Sequence, residues 1–234
     1  MLNDNEHLSD RYFLRHLKTP RSCLLLIPMI GMVIFIVLYI KAAMVYPGGS
    51  AIYPDQIGFN FWNNYLCDLL DEYALNGELN ESRTYARWAL TVLCASLMIL
   101  WFYLPNLFAK KSLNQHIMWF SGLISLSVVF FMATQNHDQV VRVAGVFGVI
   151  AFISCSRELF KADYIRTSVL GIICLIIFLI NYFIYETGVY IKVLPSIQKV
   201  TFAACLLWFL ILANSLHSKI KRNTTLTDSE IDPK

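Results

Sequence analysis

The sequence predicts an all-α polytopic membrane protein: a six-helix transmembrane bundle with an amphipathic helix in its long first outer loop. Three observations predict it. Hydrophobic residues make up 57% of the 234-residue chain and charged residues only 15%, well below the roughly 25% charge of an average soluble domain. Six apolar runs of about 20 residues recur along the chain, and a run of that length matches a bilayer crossing. Lys and Arg cluster on alternate flanks of those runs. Together these exclude a soluble enzyme, a secreted disulfide scaffold, a disordered regulator and a fibre. A net charge of +3 is too small and too dispersed for a nucleic-acid partner.

Residues 1–21 form a polar segment expected to be cytoplasmic, with Arg11, Arg15, Lys18 and Arg21 beside the first span. The apolar run 22–46 exceeds the roughly 7–15-residue core of a cleaved signal, so a retained span is expected. The remaining spans are expected at 86–108, 117–134, 143–160, 168–187 and 197–216, which makes 22–216 one transmembrane domain. The tail 217–234 is rich in Thr, Ser, Asp and Lys and is expected to be cytoplasmic and disordered. Lys41, Arg83, Arg87, Arg142, Lys192 and Lys199 fall on one side of this layout, and the other thirteen of the nineteen Lys and Arg fall on the opposite side. The positive-inside bias therefore places both termini in the cytoplasm, in a plasma membrane or a bacterial inner membrane.

Five of the six cysteines lie in or beside apolar runs and read as small core residues; Cys67 lies in a loop, and there is no CxxC pair. Gly145, Gly148, Ala144 and Ala151 give the fourth span a small face suited to close helix packing. No Walker loop, dinucleotide fingerprint, HExxH or GxSxG occurs, so no cofactor is expected.

The first outer loop, 47–85, is the informative segment. It opens with the turn sequence Pro47-Gly48-Gly49-Ser50. Over 60–75, Trp62, Tyr65, Leu66, Leu69, Leu70 and Tyr73 recur at i, i+3 and i+4, while Asn64, Asp68, Asp71 and Glu72 form the opposite stripe. That pattern predicts an amphipathic helix at the membrane surface. Its acids either face water or turn inward, with Asn64 and Asp68 over the mouth of the bundle to bind a cation, a basic group or a sugar hydroxyl. Asn80-Glu81-Ser82 fits an N-glycosylation sequon.

Ionisable groups within spans are costly and mark functional sites. Lys41, Arg87, the run Gln135-Asn136-His137-Asp138, Arg142 and Glu186 all fall toward the outer leaflet. His137 beside Asp138 and Asp68 forms a possible general base or metal ligand; Asp138 equally suits a helix N-terminus. Lys41 either snorkels or pairs with a loop acid. Arg87 and Arg142 suit a lipid phosphate or an ion pair. Glu158, next to Arg157, reads as a solvated pair. The candidate catalytic set is thus His137, Asp68 and Asp138, and the candidate ligand-binding set is Asn64, Arg87, Arg142, Asp71, Glu72 and Lys41. With one histidine on the outer side, no metal set is defined.

The segment Phe61-Trp62-Asn63-Asn64-Tyr65-Leu66-Cys67-Asp68-Leu69 resembles an N-Y-x-S/C-D-L element found in a group of uncharacterised multi-pass membrane proteins. Those proteins are distantly similar to the Frag/DRAM/Sfk group of six-span proteins. Asn64-Tyr65, Cys67-Asp68-Leu69 and His137 carry the resemblance, which covers about 20 residues plus the span layout. It implies a six-span fold with an outward-facing polar site, in a group where some relatives handle lipids or lipid anchors. The expected function is recognition of a lipid headgroup or small polar ligand at the outer leaflet, with membrane lipids as partners. The alternatives are a membrane-embedded hydrolase or transferase using His137 with Asp68 or Asp138, and a non-catalytic assembly subunit.

Overall fold

The computed structural model describes residues 19–109, 112–130 and 137–231, with the side chains of 137, 138 and 226–231 left undescribed. Among these residues the chain is all-α, with six α-helices and two isolated bridges in place of any strand. The helices are α1 (Leu26–Met44), α2 (Ser82–Tyr103), α3 (Leu113–Val129), α4 (His137–Lys161), α5 (Ile165–Thr187) and α6 (Leu194–Ile231). Short 3-10 turns lead into α1 at Ser22–Leu25, extend α2 at Leu104–Leu107 and lead into α6 at Ile191–Val193.

Five helical segments are long and apolar enough to cross a membrane: Ser22–Met44, Ser82–Leu107, Gln139–Lys161, Ile165–Thr187 and Ile191–Thr225. The first has the highest mean hydropathy, 2.9. Helix α3 has 17 residues, short of the roughly 20 needed for a crossing, and residues 131–136 beyond it lie outside the described set. Large apolar side chains such as Val33, Val37, Ile40, Ile153, Ile173 and Ile176 stand exposed along the helices. In water they would form an apolar patch far beyond what a soluble monomer shows; facing acyl chains they cost nothing. These apolar helices make the chain a membrane-embedded protein.

Local sequence sets the helix ends. Ser112 caps α3, its hydroxyl accepting from Gln115 N at 3.2 Å. Gly188, in the left-handed conformation at φ 69°, ends α5. Small residues bring helices together: a Cβ at Gly122 would run into the Trp101 indole, and one at Gly31 would meet the Ser96 hydroxyl. Trp208 is fully buried, stacks on Phe152 at 4.4 Å and donates its indole N–H to Thr167 O at 2.9 Å. Helix α1 packs chiefly on α2, and α3 on α4; α1 and α6 meet far less closely, with Phe35 and Phe202 tilted at 5.2 Å between them.

Two expectations are corrected. The helix predicted over 60–75 is absent; the segment contains only the 3-10 turn Cys67–Leu70. Side chains take the backbone groups a helix would need: Asn60 Oδ1 accepts from Trp62 N, Asn64 Oδ1 from Asn60 N, and Asp68 Oδ2 from Tyr65 N. Nor do the apolar residues share a face, since Leu69 and Leu70 are buried while Trp62 and Tyr73 are exposed. The last helix also runs past its expected end at 216, to Ile231. Buried Leu216 and Ile220 extend the core past the predicted boundary. His217 Nδ1 lies 2.9 Å from Ser22 O, and Lys219 donates to Leu107 O at 2.7 Å.

Candidate functional site

The loop between α1 and α2 is a folded cap. Its backbone closes on itself through Gly49 N to Gln56 O at 2.7 Å and Gly58 N to Pro47 O at 3.0 Å. Both Gly48 and Gly49 have positive φ, and a Cβ on either would strike backbone of the same loop. Leu69, Leu70 and Ala74 form a small core with Ala42 and Tyr46 from the end of α1 and Ala86 of α2.

Asn64 and Asp68 lie at the centre of this cap, 0% and 6% exposed. Asn64 Nδ2 donates to Gly49 O at 2.7 Å and to Asp68 Oδ2 at 3.0 Å. Its Oδ1 accepts from Gln56 Nε2 at 2.8 Å and from Asn60 N at 2.9 Å. Both side chains are thus buried within the loop itself, and no helix carries them. Burial raises the Asp68 carboxyl above its usual range; the hydrogen bonds from Asn64 and Tyr65 N and the charge of Lys199 oppose that rise. Burial, aided by Asp68 and Asp71, pushes the Cys67 thiol up to about 12.

The other candidate residues are spread around this end of the bundle. Glu72, exposed, pairs with Arg83 at 3.5 Å, and Asp71 is exposed beside it. Arg87 is half-buried on α2. Lys41 is exposed with its ammonium 5.6 Å from the Tyr85 ring centroid, a cation–π contact. Arg142 and Glu186 form a bidentate pair across α4 and α5, at 2.9 and 3.1 Å. The backbones of His137 and Asp138 open α4; their side chains lie outside the described residues, as do Gln135 and Asn136. Among the described residues no group of three His, Cys, Asp or Glu is placed to hold a metal ion.

Two further readings change. Glu158 is not a solvated partner of Arg157: it is 3% exposed and accepts from Asn114, Gln115 and Lys161 at 2.9, 2.9 and 3.2 Å. Asn80 is 4% exposed, so the sequon is closed to a glycan. Its Nδ2 donates to Asp68 O and Asp71 O, and its Oδ1 accepts from Ser82, which ties the 3-10 turn to the start of α2.

The residue the sequence reading passed over is Lys199. Grouped with the flanking cations, it sits in the first turns of α6 and is 7% exposed. Helical side chains lean toward the N-terminus, and the Lys199 ammonium reaches back to Pro195 O at 3.0 Å and across to Asn64 O at 2.5 Å. Phe59 and Phe61 hold their ring centroids 5.6 and 5.1 Å from it. Its neighbour Gln198 accepts from Leu66 N at 2.9 Å, and Tyr39 of α1 donates to Leu66 O at 2.6 Å. The signal in the sequence was Gln198-Lys199 at the head of an apolar run.

Below Lys199, a groove of about 520 Å³ separates α1 from α6. Met32, Phe35 and Ile36 line one wall, Phe202 and Leu206 the other, and the loop roofs it with Phe59, Phe61, Leu66 and Leu69. Among the described residues, Lys199 is the one charged residue in the lining. Exposed Val33, Ile40 and Leu207 border the side of the groove that faces outward from the bundle. Set beside known protein families, characterised proteins and solved structures, the chain matches none of them.

Proposed function

We propose that the chain is a six-span membrane protein with both termini cytoplasmic, and that its outer end recognises a membrane lipid. An acyl chain lies in the groove between α1 and α6, and the headgroup meets Lys199 beneath the loop. The observation that carries this reading is the groove itself: apolar along its walls, bordered by exposed apolar side chains, and lined beneath the loop by buried Lys199. Ligand pockets are typically about 300–1,000 Å³, mostly apolar, with few and fixed polar groups. An ionisable residue at membrane depth is retained against its cost when it does work there.

The site moves accordingly. Asn64 and Asp68 hold the loop in place over the groove and do not themselves line it.

The test is photocrosslinking. The full chain is placed in lipid nanodiscs with a trace lipid that carries a diazirine on its acyl chain, and adducts are mapped by mass spectrometry. Adducts are expected at the groove walls on α1 and α6. Ala203→Trp, which fills the groove, is expected to remove them while leaving adducts elsewhere on the bundle. Uniform labelling of every lipid-facing helix, unchanged by Ala203→Trp, overturns the reading.

A further inference from the structure

The shape and charge of the groove narrow the ligand, on the reading that the groove is a lipid site. We infer that it takes a single-chain amphiphile with an anionic head, whose carboxylate or phosphate oxygen is held by Lys199.

Volume speaks for one chain. At about 520 Å³ the groove lies in the lower half of the roughly 300–1,000 Å³ range of pockets that take one small ligand. Length agrees. The groove follows α6 from Lys199 to Leu210, about 16 Å at 1.5 Å per residue, close to the roughly 15 Å half-thickness of the hydrocarbon core. A second acyl chain of that length needs the same volume again, and the described lining runs along α1, α6 and the loop alone.

Charge speaks for an anion. An ammonium has three donors. Two of those on Lys199 go to Asn64 O and Pro195 O, and around the third stand the Phe59 and Phe61 rings, which are carbon surfaces and accept no full hydrogen bond. Among the described residues no carboxylate forms an ion pair with Lys199. Asp68 accepts from Tyr65 N and Asn64 and lies outside the lining. A buried cation without an ion-pair partner is unfavourable until an anion arrives. An ionised carboxylate or phosphate supplies one, with a charge-assisted hydrogen bond. The loop roof above Lys199 also disfavours a large headgroup, because Phe59, Phe61 and Leu66 close the groove there.

The experiment is a competition in phosphatidylcholine nanodiscs containing the full chain. A photoactivatable fatty acid is the reporter. The competitors are oleic acid, oleoyl lysophosphatidic acid, oleyl alcohol and dioleoyl phosphatidic acid. At least one of the two single-chain anions is expected to displace the reporter about tenfold more effectively than oleyl alcohol or dioleoyl phosphatidic acid, and which one does so separates a carboxylate from a phosphate head. Lys199→Met is expected to erase the advantage of the anion over the alcohol, and Lys199→Arg to keep it. Hydrogen exchange of the loop identifies any Lys199→Met preparation that has lost the cap, and Lys199→Arg then carries the comparison against wild type. Equal competition by oleic acid, lysophosphatidic acid and oleyl alcohol overturns the anionic head but leaves the groove as a lipid site. Equal competition by the two-chain lipid overturns the single chain. Absence of any reporter adduct on α1 and α6 overturns the lipid groove itself.

Discussion

The ammonium of Lys199 donates to the backbone carbonyl of Asn64, 135 residues earlier in the chain. This bond fastens the loop cap to α6, while Tyr39 fastens it to α1 through Leu66 O. One lysine thus secures the roof of the groove and supplies the charge at its end.

Lys199→Met is expected to loosen the cap without unfolding the bundle. It removes a charged donor from two buried carbonyls, a loss of about 2 kcal/mol, or roughly a 30-fold rise in loop opening. Amide hydrogen exchange should accelerate across 47–81 and remain unchanged in α4 and α5. Unchanged exchange in the loop would show that the bond contributes nothing to docking.

Asp68 makes the cap sensitive to pH in a defined direction. Its folded-state pKa is raised by burial, so the folded cap binds the proton more tightly than the opened loop does. Stability therefore falls as pH rises from the ordinary carboxylate value of 3.8 through the raised folded value, and is regained on acidification through the same window. Loop exchange followed against pH should show this slope, and Asp68→Asn should abolish it. The amide oxygen of that variant can still accept from Tyr65 N.

Asn80 is expected to carry no glycan in a eukaryotic membrane despite its sequon, since its amide is buried and bonded to Asp68 O and Asp71 O. Treatment with a peptide N-glycosidase should leave electrophoretic mobility unchanged. Asn80→Ala should instead lower Tm, because two carbonyls lose their donor at about 1 kcal/mol each or more.

Cys67 should resist alkylation. A thiol pushed up to about 12 from 9.0 exposes on the order of a thousandfold less thiolate at pH 8, given tenfold per unit below the pKa. In a chain whose other five cysteines are alanine, iodoacetamide labelling should be slow when folded and fast in denaturant. Rapid labelling of the folded chain would contradict the raised pKa of the half-buried thiol.

The membrane character of the chain was legible before any coordinates. Apolar runs near 20 residues identify crossings from composition alone, because the hydrocarbon core imposes a length and forbids unpaired backbone. The burial of Asn64 and Asp68 was half legible, as polar residues among aromatics in a long loop. The loop's conformation was not. Asn60, Asn64 and Asp68 match the spacing of a helical polar face, but their side chains bond the local backbone and replace the helix. Periodicity records which positions are polar, and not what their oxygens will accept.

Lys199 shows the same division at long range. In the sequence it is one cation on a flank, indistinguishable from Lys192. Its role depends on Asn64, Phe59 and Phe61 arriving over it from another part of the chain. Glu158 and Asn80 changed from surface features to buried anchors for the same reason. By itself the sequence determined that the chain enters a bilayer and which segments are apolar enough to do so, since transfer free energy is a local sum over side chains. The tertiary structure alone decided which polar groups are buried together and that a groove opens between α1 and α6, because hydrogen-bond partners and packing gaps are set by contacts between distant segments.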